Sequence, residues 1–301
     1  MGVEGYKISN YKIIARNFYK ERLLDKALNF YEKAYNCDGG KKDTELLLDI
    51  ALIYDELEEY DLAEEKYREI LKINSEDYRA YYGIAIIYDN IKEYGKAVEY
   101  YKAAIRINPQ YNRAYFFLAG AYDELGEANK AIECYEKVLE MNNKDFWAHT
   151  NLSAIYEEVG DYESALKNIN ESLEIDPNHY LALFNKAVIL GRMGQLKKAE
   201  KYYKLSIEEN KNYSYSYLNL AVIYKDKQLY EKAIEIISEG INNNLDAEFL
   251  YYNRACFYVK LNRFNKAVED LNKAVELYPN FKKYIEEDEE LEPIKNFLIR
   301  Y

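Results

Sequence analysis

Four asparagines stand at one spacing in the second half of the chain. Asn151, Asn185, Asn219 and Asn253 follow one another every 34 residues. A carboxamide offers donors and an acceptor together, so a row of them can hydrogen-bond the backbone of an extended peptide whatever its side chains. Asparagine is a mediocre helix former, and its return at one register has two explanations: use in recognition, or inheritance without use. Carboxylates form a second row. Asp55, Glu56, Asp89, Asp123, Glu124, Glu157 and Glu158 recur at two adjacent registers, with Asn90 the neutral exception. Further on, Gly191, Arg192, Lys225, Asp226, Val259 and Lys260 take those places. Stacked like charges repel, and acids near a helix C-terminus oppose its dipole, so a ligand carrying Lys or Arg would relieve both. The plainer explanation is a solvated face. Aromatics form a third row, with Tyr82, Phe116, Phe184 and Tyr252 at one register and Trp147, Tyr215 and Phe249 at another. Such rings either anchor a ligand or pack against neighbouring structure.

Little in the sequence points to catalysis. His149 and His179 have no companions at metal-ligand spacing, and no glycine-rich phosphate loop is present. Cys37, Cys134 and Cys256 lie far apart. They form neither a metal pair nor a disulfide framework, and an odd count suits a reducing cytosol. Cys256 reads as a small packed residue rather than a nucleophile. No cofactor and no metal site are expected, and the chain reads as non-enzymatic. Its 53 acidic residues outnumber 41 basic ones, for a net charge of −12. That balance disfavours nucleic acid and anionic lipid and favours neutral or basic protein segments. There is no apolar run long enough to insert into a membrane and no signal-peptide pattern at the N-terminus, so the expected location is cytoplasmic.

These rows need elements to hold them, and the period supplies those elements. Ala63, Ala97, Ala131, Ala165, Ala199, Ala233 and Ala267 recur every 34 residues, preceded by Ala27 at a gap of 36. A fixed period of this length marks a stacked helical array. With Thr44 as position 1, small residues recur at positions 8 and 20, and large ones, often tyrosine, at 4, 11 and 24. The spacing 4, 7, 8, 11 is one face of a first helix, and 20, 24, 27 is one face of a second. Gly126, Gly160 and Gly194 at position 15 suit a turn needing positive φ. Asp25, Asp61 and Asn129 at position 18 are expected to cap the second helix.

This pattern resembles the tetratricopeptide repeat (TPR) family. The resemblance covers residues 8–281 as eight helix-turn-helix units: 8–41, 44–77, 78–111, 112–145, 146–179, 180–213, 214–247 and 248–281. It implies an all-α fold, a right-handed α-solenoid superhelix forming one domain over 1–281, with first helices lining a concave groove. Groove-facing positions would be 2, 5, 6, 9, 12 and 13, which is where the asparagine, acidic and aromatic rows fall. The asparagine row is similar to the one in the groove of O-GlcNAc transferase repeat domains. A carboxylate-gripping clamp of the kind some relatives carry is not matched: Lys12 and Arg79 fit, but Arg16, Asp49 and Gly83 do not. Lys186 and Arg254 take the usually apolar position 7, with their heads expected to reach water. Residues 282–301 do not repeat. Leu291, Ile294, Phe297, Leu298 and Tyr301 form a helical stripe there, expected to be a capping helix or, alternatively, a docking tail.

The resulting expectation is a scaffold or adaptor that binds an extended protein or peptide segment, one bearing Lys or Arg, in its groove. Two alternatives stand beside it. One is a structural or self-associating subunit, a homo-oligomer using convex and terminal faces. The other is an enzyme or the regulatory half of one.

Overall fold

The computed structural model describes residues 3–294, which form two compact units divided between Ala148 and His149. In the first, helices come in pairs: α1 (Val3–Lys20) with α2 (Leu24–Tyr35), and α3 (Thr44–Glu56) with α4 (Tyr60–Ile73). Next come α5 (Tyr78–Asn90) with α6 (Tyr94–Ile107), and α7 (Asn112–Glu124) with α8 (Ala128–Met141). Each pair packs on the next through its second helix, α2 on α3, α4 on α5 and α6 on α7. The two extra residues after the first repeat are taken up in a 3-10 turn at Gly40–Lys42. α9 (Phe146–Glu158) begins at the end of this unit and runs into the second.

The second unit continues with α10 (Tyr162–Ile175), α11 (Tyr180–Arg192), α12 (Leu196–Glu209), α13 (Ser214–Asp226), α14 (Tyr230–Asn243), α15 (Glu248–Lys260) and α16 (Phe264–Leu277). Here too α10 packs on α11, α12 on α13 and α14 on α15. Among the described residues there is no β-strand.

The core explains the period. The alanines at positions 8 and 20 are fully buried in every repeat that carries them, which lets each helix pair close tightly. Tyr31, Tyr67, Tyr101 and Tyr135 at position 24 are at most 3 % exposed. Burying a side chain of that size stabilises by roughly 2 kcal/mol. The turn between paired helices is equally regular. Gly126, Gly160 and Gly194 have φ of 71°, 82° and 73°. At the same position Arg22, Glu58, Lys92, Gln228 and Asn262 adopt left-handed φ of 55–62°, at a cost of about 1–2 kcal/mol each.

Two expectations need correction. Asp25, Asp61 and Asn129 do not cap the second helices. The turn closes by a bond from the position-16 amide to the position-11 carbonyl, as in Glu59–Tyr54 and Glu127–Tyr122. The helix therefore starts one residue before position 18, and its N-caps, Leu23, Glu59 and Glu127, make no side-chain cap bond. Side-chain caps appear on first helices, where Asp43 accepts from Leu46 N and Asp77 from Arg79 N, and on one second helix, where Asp161 accepts from Ser164 N.

The segment after the last repeat is not one helix within the described residues. α17 (Phe281–Glu287) ends at Asp288, whose backbone is extended, and a 3-10 turn at Glu289–Ile294 containing Pro293 follows. Ile285, Leu291 and Ile294 are buried in the apolar cluster of the last repeats. Phe297, Leu298 and Tyr301 lie outside the described residues.

Candidate functional site

First helices lie beside one another within each unit, α3 against α5 and α13 against α15. Their shared face carries the three rows. Position 6 on this face meets position 24 of the preceding repeat, a contact that sequence reasoning missed. Asp49 is hydrogen-bonded to Tyr31. A Cβ on Gly83 would fall 2.2 Å from the Tyr67 ring. Phe117 stacks on Tyr101 with centroids 6.4 Å apart. Asn219 hydrogen-bonds Tyr203, whose phenol burial pushes up to about 12 while that bond opposes the rise.

The asparagines therefore differ. Asn219 has an inter-repeat partner. The position-24 residues facing Asn185 and Asn253 in register are Ile169 and Ile237, which offer no hydrogen bond. The Asn253 amide turns back to the Phe249 carbonyl at 2.8 Å. Asn185 is half-buried and makes no side-chain hydrogen bond among the described residues. Asn151 is also half-buried.

The aromatic row at position 5 is packed rather than exposed. Tyr82 lies 5.0 Å from Tyr111 and 5.9 Å from Tyr101, centroid to centroid. Phe116 packs edge-on against Tyr135 at 5.4 Å. Phe184 sits between Tyr203 and Tyr213 at 5.7 and 5.1 Å. Tyr252 lies 5.3 Å from Phe281 and donates to Asp288 at 2.5 Å. The reason is geometric: position 5 faces the large side chains at positions 24 and 34 of its own repeat. All four rings are half-buried, so only their edges are offered to a ligand. The exposed aromatics are at position 2, where Trp147 is 47 % and Tyr215 51 % exposed. Tyr215 stacks on Phe249 at 5.1 Å.

The acidic row also divides. Glu157 is neutralised by Arg192, whose Nε donates at 2.8 Å. Asp123, Glu124 and Glu158 are exposed. Asp89 is half-buried and accepts from the Tyr101 hydroxyl at 2.8 Å. Burial raises its pKa, the tyrosine bond opposes the rise, and Glu124 adds to it. Asp55 is half-buried one repeat earlier. Burial and then Glu56 raise its pKa, and its Oδ1 is buried with no hydrogen-bond partner. The clamp-like cations are already occupied, Lys12 by Asp43 at 2.7 Å and Arg79 by Asp77 and Glu45 at 2.8 and 2.6 Å.

Arg254 turns inward, with only 17% of its side chain exposed. It forms a two-pronged pair with Asp270, both bonds 2.7 Å, and donates to Ser238 at 2.9 Å. Lys186 lies over the Tyr202 ring at 4.4 Å. Both pairings join position 7 to position 23 of one repeat, and that spacing could have revealed them. Cys256 is buried, and burial pushes its thiol up to about 12, the opposite of what an activated nucleophile needs. Among the described residues no group of three or more His, Cys, Asp or Glu could hold a metal ion, and no helix is long and apolar enough to cross a membrane.

Family models described as tetratricopeptide repeat match residues 48–112, 92–154, 145–208, 214–246 and 249–281. No curated protein matches the chain. Among solved structures, a tetratricopeptide repeat protein from Parabacteroides merdae ATCC 43184 is 20% identical with a TM-score of 0.66, over 83% of this chain and 97% of that one. YrrB, described as a TPR protein with an unusual peptide-binding site, is 21% identical with a TM-score of 0.54, over 62% of this chain and 95% of that one. MamA from Desulfovibrio magneticus RS-1 is 22% identical with a TM-score of 0.53, over 59% of this chain and 97% of that one. At these identities the likeness is one of fold.

Proposed function

The chain belongs to the tetratricopeptide repeat family, and from that premise we propose that it is a scaffold binding an extended segment of a partner protein along its first-helix face. The observation that carries this reading is the Asn185 carboxamide, half-buried and without a hydrogen-bond partner among the described residues, at the register of Asn219 and Asn253. A donor and acceptor held on a helix with nothing to bond is suited to a peptide backbone. That YrrB, of the same fold, has a peptide-binding site is in keeping with this use. Uncompensated carboxylates at Asp55 and Asp89 favour a segment bearing Lys or Arg. Three free cysteines, two of them buried, suit a reducing compartment such as the cytoplasm. The chain is read as non-catalytic.

The test is a pull-down in which the native chain is compared with a variant carrying Asn151→Ala, Asn185→Ala, Asn219→Ala and Asn253→Ala together. Helicity is checked by circular dichroism. A partner retained by the first and lost by the second is the expected result. Equal retention by two equally helical proteins would refute the asparagine role.

Self-association is a second reading, favoured by Tyr6 and Ile13 on α1, which are 64 % and 57 % exposed. Light scattering separates it, since self-association makes the measured mass rise with concentration.

A further inference from the structure

The second and third repeats hold two half-buried carboxylates, Asp55 at the end of α3 and Asp89 at the end of α5. The charged neighbours that act on them are Glu56 and Glu124, both negative. Among the described residues no cation acts on either to offset it. Arg113 acts on Tyr82 and Tyr111 instead. A carboxylate taken out of water without a counter-charge is costly, and this unit holds two in consecutive repeats.

Three tyrosines stand with them. Tyr67 is 1 % exposed and feels the charge of Asp55 and the neighbouring Tyr82 and Tyr111, yet its hydroxyl makes no hydrogen bond among the described residues. Its ring reaches the first-helix face only because Gly83 leaves the space that a Cβ would fill. Tyr101 is fully buried and donates a hydrogen bond to Asp89. Tyr82 lies between them, 5.9 Å from Tyr101, and senses both Asp55 and Asp89. An unbonded phenol and an unbonded carboxylate oxygen thus lie within electrostatic reach of each other among these tyrosines. An ammonium or guanidinium fits that surrounding. It would give the Asp55 oxygen its missing donor, supply counter-charge to both acids, and lie against tyrosine faces.

We propose that Asp55, Asp89, Tyr67, Tyr82 and Tyr101 form a receptor for one lysine or arginine side chain of the bound segment. This rests on the first-helix face being the peptide-binding surface and adds the residue class read there. Asp55 and Asp89 supply charge, the Tyr67 hydroxyl accepts a further donor, and Gly83 admits the Tyr67 ring.

The experiment titrates the full chain by calorimetry with blocked extended peptides that differ only at a central residue: lysine, arginine, acetyllysine or glutamine. Lysine or arginine should bind about tenfold or more tightly than acetyllysine or glutamine, as one charge-assisted contact implies. Asp55→Asn with Asp89→Asn should abolish that preference, and Tyr67→Phe should reduce it while leaving the ring in place. The four-asparagine variant should bind all peptides more weakly and keep the preference. Equal binding of all four peptides by the native chain would overturn the receptor and leave the peptide-binding face intact. A preference that survives Asp55→Asn with Asp89→Asn would also overturn it. Peptide binding lost by neither variant set would overturn the peptide-binding face itself. Magnesium chloride titrated alone is the remaining arm, and saturable magnesium binding abolished by the two Asp→Asn changes would assign the pocket to a metal instead.

Discussion

Position 6 and position 12 of the repeat are filled differently in the two units. In residues 3–148 position 6 is Ile13, Asp49, Gly83 and Phe117, and in the remainder it is asparagine four times. Position 12 of the second and third repeats holds Asp55 and Asp89 without cations, whereas Glu157 of the second unit has Arg192. Polar groups buried in the second unit are matched more generally. Arg254 meets Asp270, Thr150 meets Ser172 at 2.7 Å, and Ser206 meets Ser216 at 2.8 Å. The same backbone thus carries two chemistries, an unneutralised acid and tyrosine cluster in one unit and an amide row in the other. Where a polar group is matched internally it serves stability, and where it is not it is the group we propose for a ligand.

The sharpest way to break that contrast is to unmatch the second unit. Arg254→Met leaves Asp270 buried without its partner and should cost about 3–5 kcal/mol, seen as a lower denaturant midpoint. Replacing both, Arg254→Met with Asp270→Leu, should restore most of it. Asp55→Asn in the first unit should cost nothing, because no partner is lost. A midpoint unchanged by Arg254→Met would show that the pair is not buried as described.

Position 6 offers three steps of decreasing size. Gly83→Ala drives a methyl into the Tyr67 ring and should cost about 1–3 kcal/mol. Asn219→Ala removes the bond to Tyr203 and should cost about 0.5–1.5 kcal/mol. Asn185→Ala removes nothing internal and should stay within about 0.5 kcal/mol of the native chain. A cost for Asn185→Ala equal to that for Asn219→Ala would make both asparagines structural.

Acid should separate individual carboxylates as well. The pKa of Asp55 and Asp89 is raised, so the folded state binds their protons more readily than the unfolded chain. Their destabilising effect is present at neutral pH and is relieved as pH falls through their folded values. Glu200 behaves oppositely. Burial would raise it, but bonds from Lys204, Tyr224 and Lys227 outweigh burial and lower it to about 2. Its stabilisation is present above the usual 4.5 and is lost as pH falls towards about 2. Side-chain titration followed by NMR should therefore place Asp55 and Asp89 above, and Glu200 below, the usual carboxylate range, and the reverse order would contradict these signs.

The repeat was legible because its cause is local and periodic: small residues at 8 and 20 and large ones at 11 and 24 recur in phase, and the helices follow. The site was legible as a face but not as contacts. Tyr82, Phe116, Phe184 and Tyr252 read as groove residues from helical spacing, yet positions 24 and 34 come back in space to cover them. Arg254 read as a snorkelling cation because Asp270 is sixteen residues away on the opposite helix of the pair. Asp55 drew attention only as one acid in a row. Its isolation depends on which cations lie nearby, and spacing along the chain does not reveal that.

The most direct measurement is a hydrogen-exchange footprint of the full chain with its captured partner segment bound. Protection concentrated on α3, α5, α11, α13 and α15, with α4, α6, α12, α14 and α16 unchanged, is the result expected of a ligand on the first-helix face. Protection concentrated on the second helices, with the first helices unchanged, would contradict it.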